Sequence, residues 1–143
     1  MKARRPLLAL FAVLVCGWGL AACSEPDGVE LFVRRSAARD GVYVYRLPLT
    51  DTTAAYDFWF YSRPRKQALD DVQLNVQWLS PSGEGFSETV YMRRVDVLGS
   101  RELYRSGMVP AEAGEWQLSV RPVGTGEELL GFGVVCKRQD GTR

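Results

Sequence analysis

Val72-Gln73-Leu74-Asn75-Val76-Gln77-Trp78-Leu79 is the stretch that decides the fold. Its apolar residues Val72, Leu74, Val76 and Trp78 alternate with Gln73, Asn75 and Gln77. In an extended chain successive side chains point to opposite faces, so this spacing predicts a strand with one buried and one wet face. The pattern returns where Trp116, Leu118 and Val120 oppose Gln117, Ser119 and Arg121. Further strand candidates lie at 29–35, 42–49, 56–62, 89–97 and 130–137. Turn formers punctuate them. Ser80-Pro81-Ser82-Gly83 reads as one turn and Gly124-Thr125-Gly126-Glu127 as a hairpin turn. The segment 64–71 has room for one helical turn, and nothing after residue 22 keeps helical periodicity over three turns. About seven short strands bounded by turns predict an all-β protein, an antiparallel β-sandwich spanning 29–140.

The amino terminus has a different character. Lys2, Arg4 and Arg5 precede an apolar run from Pro6 to Leu20, closed by Leu20-Ala21-Ala22-Cys23. Small residues before a cysteine, at this distance from a basic start, read as a cleaved lipoprotein signal peptide over 1–22. The run is short for a permanent membrane span. Cys23 is then the lipidation site and the means of membrane attachment, and 23–28 a short polar tether. Ser24 fits transport to the outer membrane of a Gram-negative cell. Glu25 and Asp27 resemble the acidic start of lipoproteins exposed at the cell surface, so the domain is expected on the periplasmic side or outside.

The charge balance follows from this processing. Eighteen basic side chains, less Lys2, Arg4 and Arg5, leave 15 against 17 acidic ones, a net charge of −2. A near-neutral surface speaks against nucleic acid, which calls for clustered Lys and Arg. Cys16 leaves with the signal and Cys23 carries the lipid, so Cys136 stands alone in the domain and no internal disulfide is expected. Its setting, Phe132-Gly133-Val134-Val135-Cys136, is that of a small core residue.

The chain contains no histidine, which removes the serine–histidine and cysteine–histidine nucleophile systems and the usual zinc ligands. Gly124-Thr125-Gly126 lacks the lysine of a phosphate loop. The acidic pairs Asp70-Asp71 and Glu127-Glu128 are adjacent in sequence, so in an extended chain their members face apart. No catalytic residue, metal or cofactor is expected.

Tyr56-Asp57-Phe58-Trp59-Phe60-Tyr61 is the most unusual composition in the domain. Tyr56, Phe58 and Phe60 share one face; Trp59 and Tyr61 share the other. Such a strand is either covered on both sides or presents an exposed aromatic platform for a protein partner or for sugar rings. The candidate binding residues are Trp59, Tyr61, Arg63 and Arg65. Arg93, Arg94, Arg101 and Arg105, in and after a neighbouring strand, read as a solvated polar rim.

A family resemblance rests on a series of segments. They are Tyr56 to Arg63, then Val72-Gln73-Leu74-Asn75-Val76, Pro81-Ser82-Gly83 and Glu88-Thr89-Val90-Tyr91. The series continues with Leu103-Tyr104-Arg105, Pro110-Ala111-Glu112-Ala113-Gly114-Glu115-Trp116 and Gly131-Phe132-Gly133-Val134. In this order, over residues 45 to 138, the chain resembles the small envelope lipoproteins of gliding-motility type H. The resemblance implies an accessory component of an envelope machine for surface movement or protein secretion, with no catalytic residues to carry over. The expected function is therefore non-enzymatic docking on an envelope protein assembly, with a carbohydrate- or small-ligand-binding module as the alternative. Trp78 and Trp116 are expected between the sheets, and Gly114 in a backbone conformation that suits a residue without a β-carbon.

Overall fold

The computed structural model describes residues 28–139. The expected signal segment, Cys23 and the tether up to residue 27 lie outside these residues. The first sheet holds β1 (Gly28–Arg34), β3 (Tyr56–Pro64), β6 (Ser100–Met108) and β8 (Leu129–Arg138), in the order β1-β8-β3-β6. The second holds β2 (Tyr43–Leu49), β4 (Leu69–Leu79), β5 (Gly85–Val95) and β7 (Gly114–Val123), in the order β2-β7-β4-β5. All pairings are antiparallel, and the architecture is the β-sandwich that the alternation predicts. Among the described residues no helix is long and apolar enough to cross a membrane.

Three local expectations are corrected. There are eight strands, not seven; the additional one is β6, whose Ser-Arg-Glu-Leu-Tyr-Arg-Ser-Gly-Met sequence carries charges on both faces. It runs at the sheet edge, and its register against β3 shifts on either side of Phe58, which breaks strict alternation. The segment 64–71 contains no helix: β3 runs on to Pro64 and β4 starts at Leu69. The Gly124–Glu127 segment is not a hairpin turn, because β7 and β8 belong to different sheets; a short 3-10 turn at Gly126–Glu128 carries the chain across. Only the β4–β5 connection, through Ser80-Pro81-Ser82-Gly83, joins strands that pair directly.

The core is the space between the sheets. Leu47, Phe58, Val72, Leu74, Trp78, Leu118, Leu129, Phe132 and Val134 are fully buried there. Trp78 meets Phe58 edge-on at 5.2 Å between ring centroids and Trp116 at 6.3 Å. Both tryptophans are buried, as their strand faces require. Two core hydroxyls are paired: that of Tyr45 donates to the Phe132 carbonyl, joining the sheets, and that of Ser62 donates to the Gly131 carbonyl at 2.8 Å. Cys136 is buried, and burial pushes its thiol up to about 12, so at neutral pH it is an un-ionised, inert side chain. Gly114 opens β7 at φ +143, and a β-carbon there would stand 2.9 Å from the Pro81 ring. The corner therefore demands glycine on two counts.

Candidate functional site

The register of the first sheet decides which side chains share its outer face. Phe58, Phe60 and Ser62 of β3 stand opposite Cys136, Val134 and Phe132 of β8, and all of these point inward. Asp57, Trp59, Tyr61 and Arg63 point outward, opposite Lys137, Val135, Gly133 and Gly131. β1 adds Glu30, Phe32 and Arg34 to the same face, opposite Val135, Gly133 and Gly131. β6 adds Arg101 and Leu103, opposite Tyr61 and Trp59.

Two alternate glycines shape this face. Gly131 and Gly133 leave a trough along β8 into which the Phe32 ring lies. A β-carbon on Gly131 would stand 2.6 Å from Phe32 Cζ, and one on Gly133 3.1 Å from Phe32 Cδ2. Phe32 is still 47% exposed and packs at 6.0 Å, tilted, beside Tyr61. The Arg101 guanidinium sits 4.8 Å above the Trp59 ring, a cation–π contact that orders a long side chain on the surface. Phe32, Arg34, Tyr61, Arg63 and Leu130 line a shallow depression of about 500 Å³. Arg34, Arg63, Arg101 and Lys137 outnumber Glu30 and Asp57 here, so the face is positive although the predicted mature chain is not. The Gly107 backbone N–H, joined by the Ser106 hydroxyl and the Gln139 amide, holds the Asp57 carboxyl below its usual range.

Of the four residues expected to bind, the structure brings Trp59, Tyr61 and Arg63 together on this face. Arg65 is elsewhere. It follows the end of β3, where its backbone N–H donates to the Glu128 carbonyl at 2.8 Å and its Nη1 to the Glu127 carbonyl at 3.2 Å. Its role is to hold the β7–β8 crossing. Phe32, Arg34 and Arg101 were not anticipated. The signals for them were present: Phe32 falls on the polar positions of β1, and Gly131-Phe132-Gly133 marks a place where another side chain approaches closely.

The expected solvated rim is also more structured than its composition implies. Arg105 donates to both Glu88 oxygens at 2.9 Å and lies 5.4 Å from the Phe86 ring. Tyr104 donates to Glu88, accepts from the Trp78 indole at 3.1 Å, and stacks on Phe60 at 4.3 Å. Burial, with the Glu88 hydrogen bond next, pushes the Tyr104 hydroxyl up to about 12. This group closes the side of the sandwich between β5 and β6. Arg94 pairs with Asp70 and Asp96 and remains exposed, as expected of surface ion pairs of small net worth.

The outer face of the second sheet is chemically different. Asn75, Gln77, Ser87, Thr89, Ser119 and Arg121 line a polar cleft of about 530 Å³, and exposed Tyr91 lies beside it on β5. Among the described residues no group of three or more His, Cys, Asp or Glu is placed to hold a metal ion.

No family model matches this chain, and no curated protein matches it. Among solved structures it is similar to the carbohydrate-binding module TmCBM61 in complex with beta-1,4-galactotriose. That likeness has 14% identity and a TM-score of 0.38, over 78% of this chain and 70% of the module. It is also similar to the Clostridium perfringens CspB protease, with 14% identity and a TM-score of 0.28, over 81% of this chain. The chain spans about a quarter of that protease's length, 24%. Neither likeness bears on what this chain binds.

Proposed function

We propose that this protein is a non-enzymatic lipoprotein of a Gram-negative envelope, anchored in the outer membrane through Cys23, that docks on a protein assembly through the outer face of its first sheet. The observation that carries the reading is the aromatic platform of exposed Phe32 and half-buried Trp59 and Tyr61, set among Arg34, Arg63 and Arg101 on a face that no other element covers among the described residues. Tryptophan, tyrosine and arginine are the side chains in which protein interfaces concentrate their energy, because each combines a large apolar body with a directional polar end. The resemblance to the gliding-motility type H lipoproteins supports the same reading and suggests an accessory role in surface movement or secretion. The absence of histidine and the burial of the domain's one thiol support a non-catalytic role.

The cleft of the second sheet favours a second reading, a carbohydrate ligand. Amides, hydroxyls and an arginine beside an exposed tyrosine match the hydrogen-bonding edge and apolar face of a sugar.

One experiment separates the two. A photo-crosslinking residue is placed at Phe32 or at Tyr91 in the full chain, and intact cells are irradiated. The docking reading expects a discrete protein adduct from position 32, lost in the Trp59→Ala/Arg63→Ala variant after its melting curve has shown that it still folds. No adduct from position 32, together with retardation of the parent in a polysaccharide gel that Asn75→Ala/Gln77→Ala abolishes, establishes the carbohydrate reading instead.

A further inference from the structure

Each sheet ends in two edge strands, and three of the four edges are blunted. β2 carries Pro48, which removes a backbone donor. In β5 the Arg93 N–H is taken by the Glu102 carboxylate at 3.1 Å. β6 has its register broken around Phe58 and bends at Gly107, φ +70. β1 has none of these. It keeps an unbroken register with β8 from Gly28 to Arg34, contains no proline, and among the described residues no strand pairs with its other side. A flat, unguarded edge is a template for another strand, and soluble proteins usually disguise one.

The sequence of β1, Gly-Val-Glu-Leu-Phe-Val-Arg, identifies a strand that fits. We propose that β1 pairs antiparallel with β1 of a second copy of this chain, centred on Leu31. That register sets Leu31 against the partner's Leu31, and Val29 and Val33 against the partner's Val33 and Val29. All three face inward and are half-buried in the single copy, so a second strand extends the apolar layer they begin. On the outer face Glu30 stands opposite the partner's Phe32 and diagonal to the partner's Arg34. Diagonal neighbours on a ladder come within reach of long side chains, so the two-fold axis creates two Glu30–Arg34 contacts of opposite charge against a single diagonal between the two Glu30 side chains. Any shift by one residue turns the valines outward. The product is a continuous eight-stranded sheet whose two aromatic platforms face the same way.

A seven-residue ladder is a small interface, and confinement does much of the work. With acylated Cys23 five residues before Gly28, two copies in one bilayer meet in two dimensions and at high effective concentration. In this respect the proposal rests on the lipid-anchor reading.

Cysteine scanning in intact cells tests it on the full chain. Cys23 is acylated and Cys136 buried, so a new cysteine on β1 has only its own copy to pair with. Leu31→Cys is expected to give a disulfide-linked dimer on mild oxidation. Val29→Cys alone is expected to give none, because its two copies stand about four residues apart along the ladder, beyond disulfide reach. In detergent extract, Glu30→Arg or Arg34→Glu is expected to raise the dissociation constant about tenfold, each disturbing two cross-strand contacts, and the double reversal to restore it. No dimer from Leu31→Cys, or equal dimer from positions 29 and 31, overturns the proposal. Partition of the same samples into detergent reads the anchor separately: loss of partition with register-specific cross-linking retained removes the anchor and leaves the pairing.

Discussion

Trp78→Ala is expected to destabilise the domain by about 3–5 kcal/mol, the cost of emptying the site of a fully buried aromatic ring. The Trp78 ring packs against three other aromatic rings. Its indole lies between Phe58 of the first sheet and Trp116 of the second, with Phe86 stacked beyond. Its N–H donates to Tyr104, so truncation also takes a donor from the cluster that closes the β5–β6 side. A domain of this size holds a total stability of about 5–15 kcal/mol, and the change corresponds to a fall in melting temperature of roughly 15 °C. Trp116→Ala should cost less. Trp116 sits at 7% exposure, nearer the rim, and its indole donates to the Glu112 carbonyl of its own corner. Denaturant titration followed by circular dichroism measures both. A loss under about 1 kcal/mol at Trp78 would mean that the strand faces are assigned the wrong way round.

Gly131→Ala is the second large effect, and its cause is the opposite one, overfilling. A β-carbon on Gly131 would stand 2.5 Å from the Val33 carbonyl oxygen, a backbone atom of the adjoining strand, and 2.6 Å from the Phe32 ring. The ring can rotate away, whereas the carbonyl can retreat only if β1 moves off β8. The expected cost is about 3 kcal/mol, at the upper end for a single added methyl group in a packed site. The damage should be local: hydrogen exchange at β1 amides should accelerate while β3 and β4 stay protected. Gly126→Ala provides the contrast, since its β-carbon would meet nothing within 4 Å and its φ is not positive. Equal exchange and equal stability in the two variants would show that β1 does not pack on β8 as described.

Much of the sandwich was legible because amphipathic strands advertise themselves. Where one face is buried and the other wet, as at Val72–Trp78 and Trp116–Val120, alternation gives both the strand and its orientation. β6 escaped because an edge strand with a register break has no consistently apolar inner face: Tyr104 packs inward on Phe60, but its inward neighbour is charged Glu102, while apolar Leu103 faces solvent. The site was legible in part for a related reason. Trp59, Tyr61 and Arg63 lie on one strand and could be grouped by counting, whereas Phe32 and Arg101 come from strands 27 residues before and 42 residues after Trp59. Only the pairing of β3 with β8 and β6, and of β8 with β1, brings them together. Arg65 was grouped with Arg63 by spacing alone, and the end of β3 at Pro64 sends it elsewhere. The Gly124–Glu127 turn was misread because turn residues reveal that the chain changes direction, not which sheet it enters.

The place of β8 in the first sheet sets a timetable for the molecule. The last strand of the domain lies between β1 and β3, so nothing joins the first strand to the sheet until the last has arrived. Neither a ribosome nor a translocation pore, delivering the chain from its amino terminus, can let the first sheet assemble strand by strand. The first strand must wait as an exposed, apolar ribbon through the delivery of nearly a hundred further residues, from Arg34 to Leu129. Completion is then a single late closure, dominated by contacts distant in sequence and correspondingly slow. A chain stopped short of residue 129 can pair the second sheet, whose last strand ends at Val123, but leaves β1 without its partner, and a quality-control protease would find β1 open in every unfinished copy.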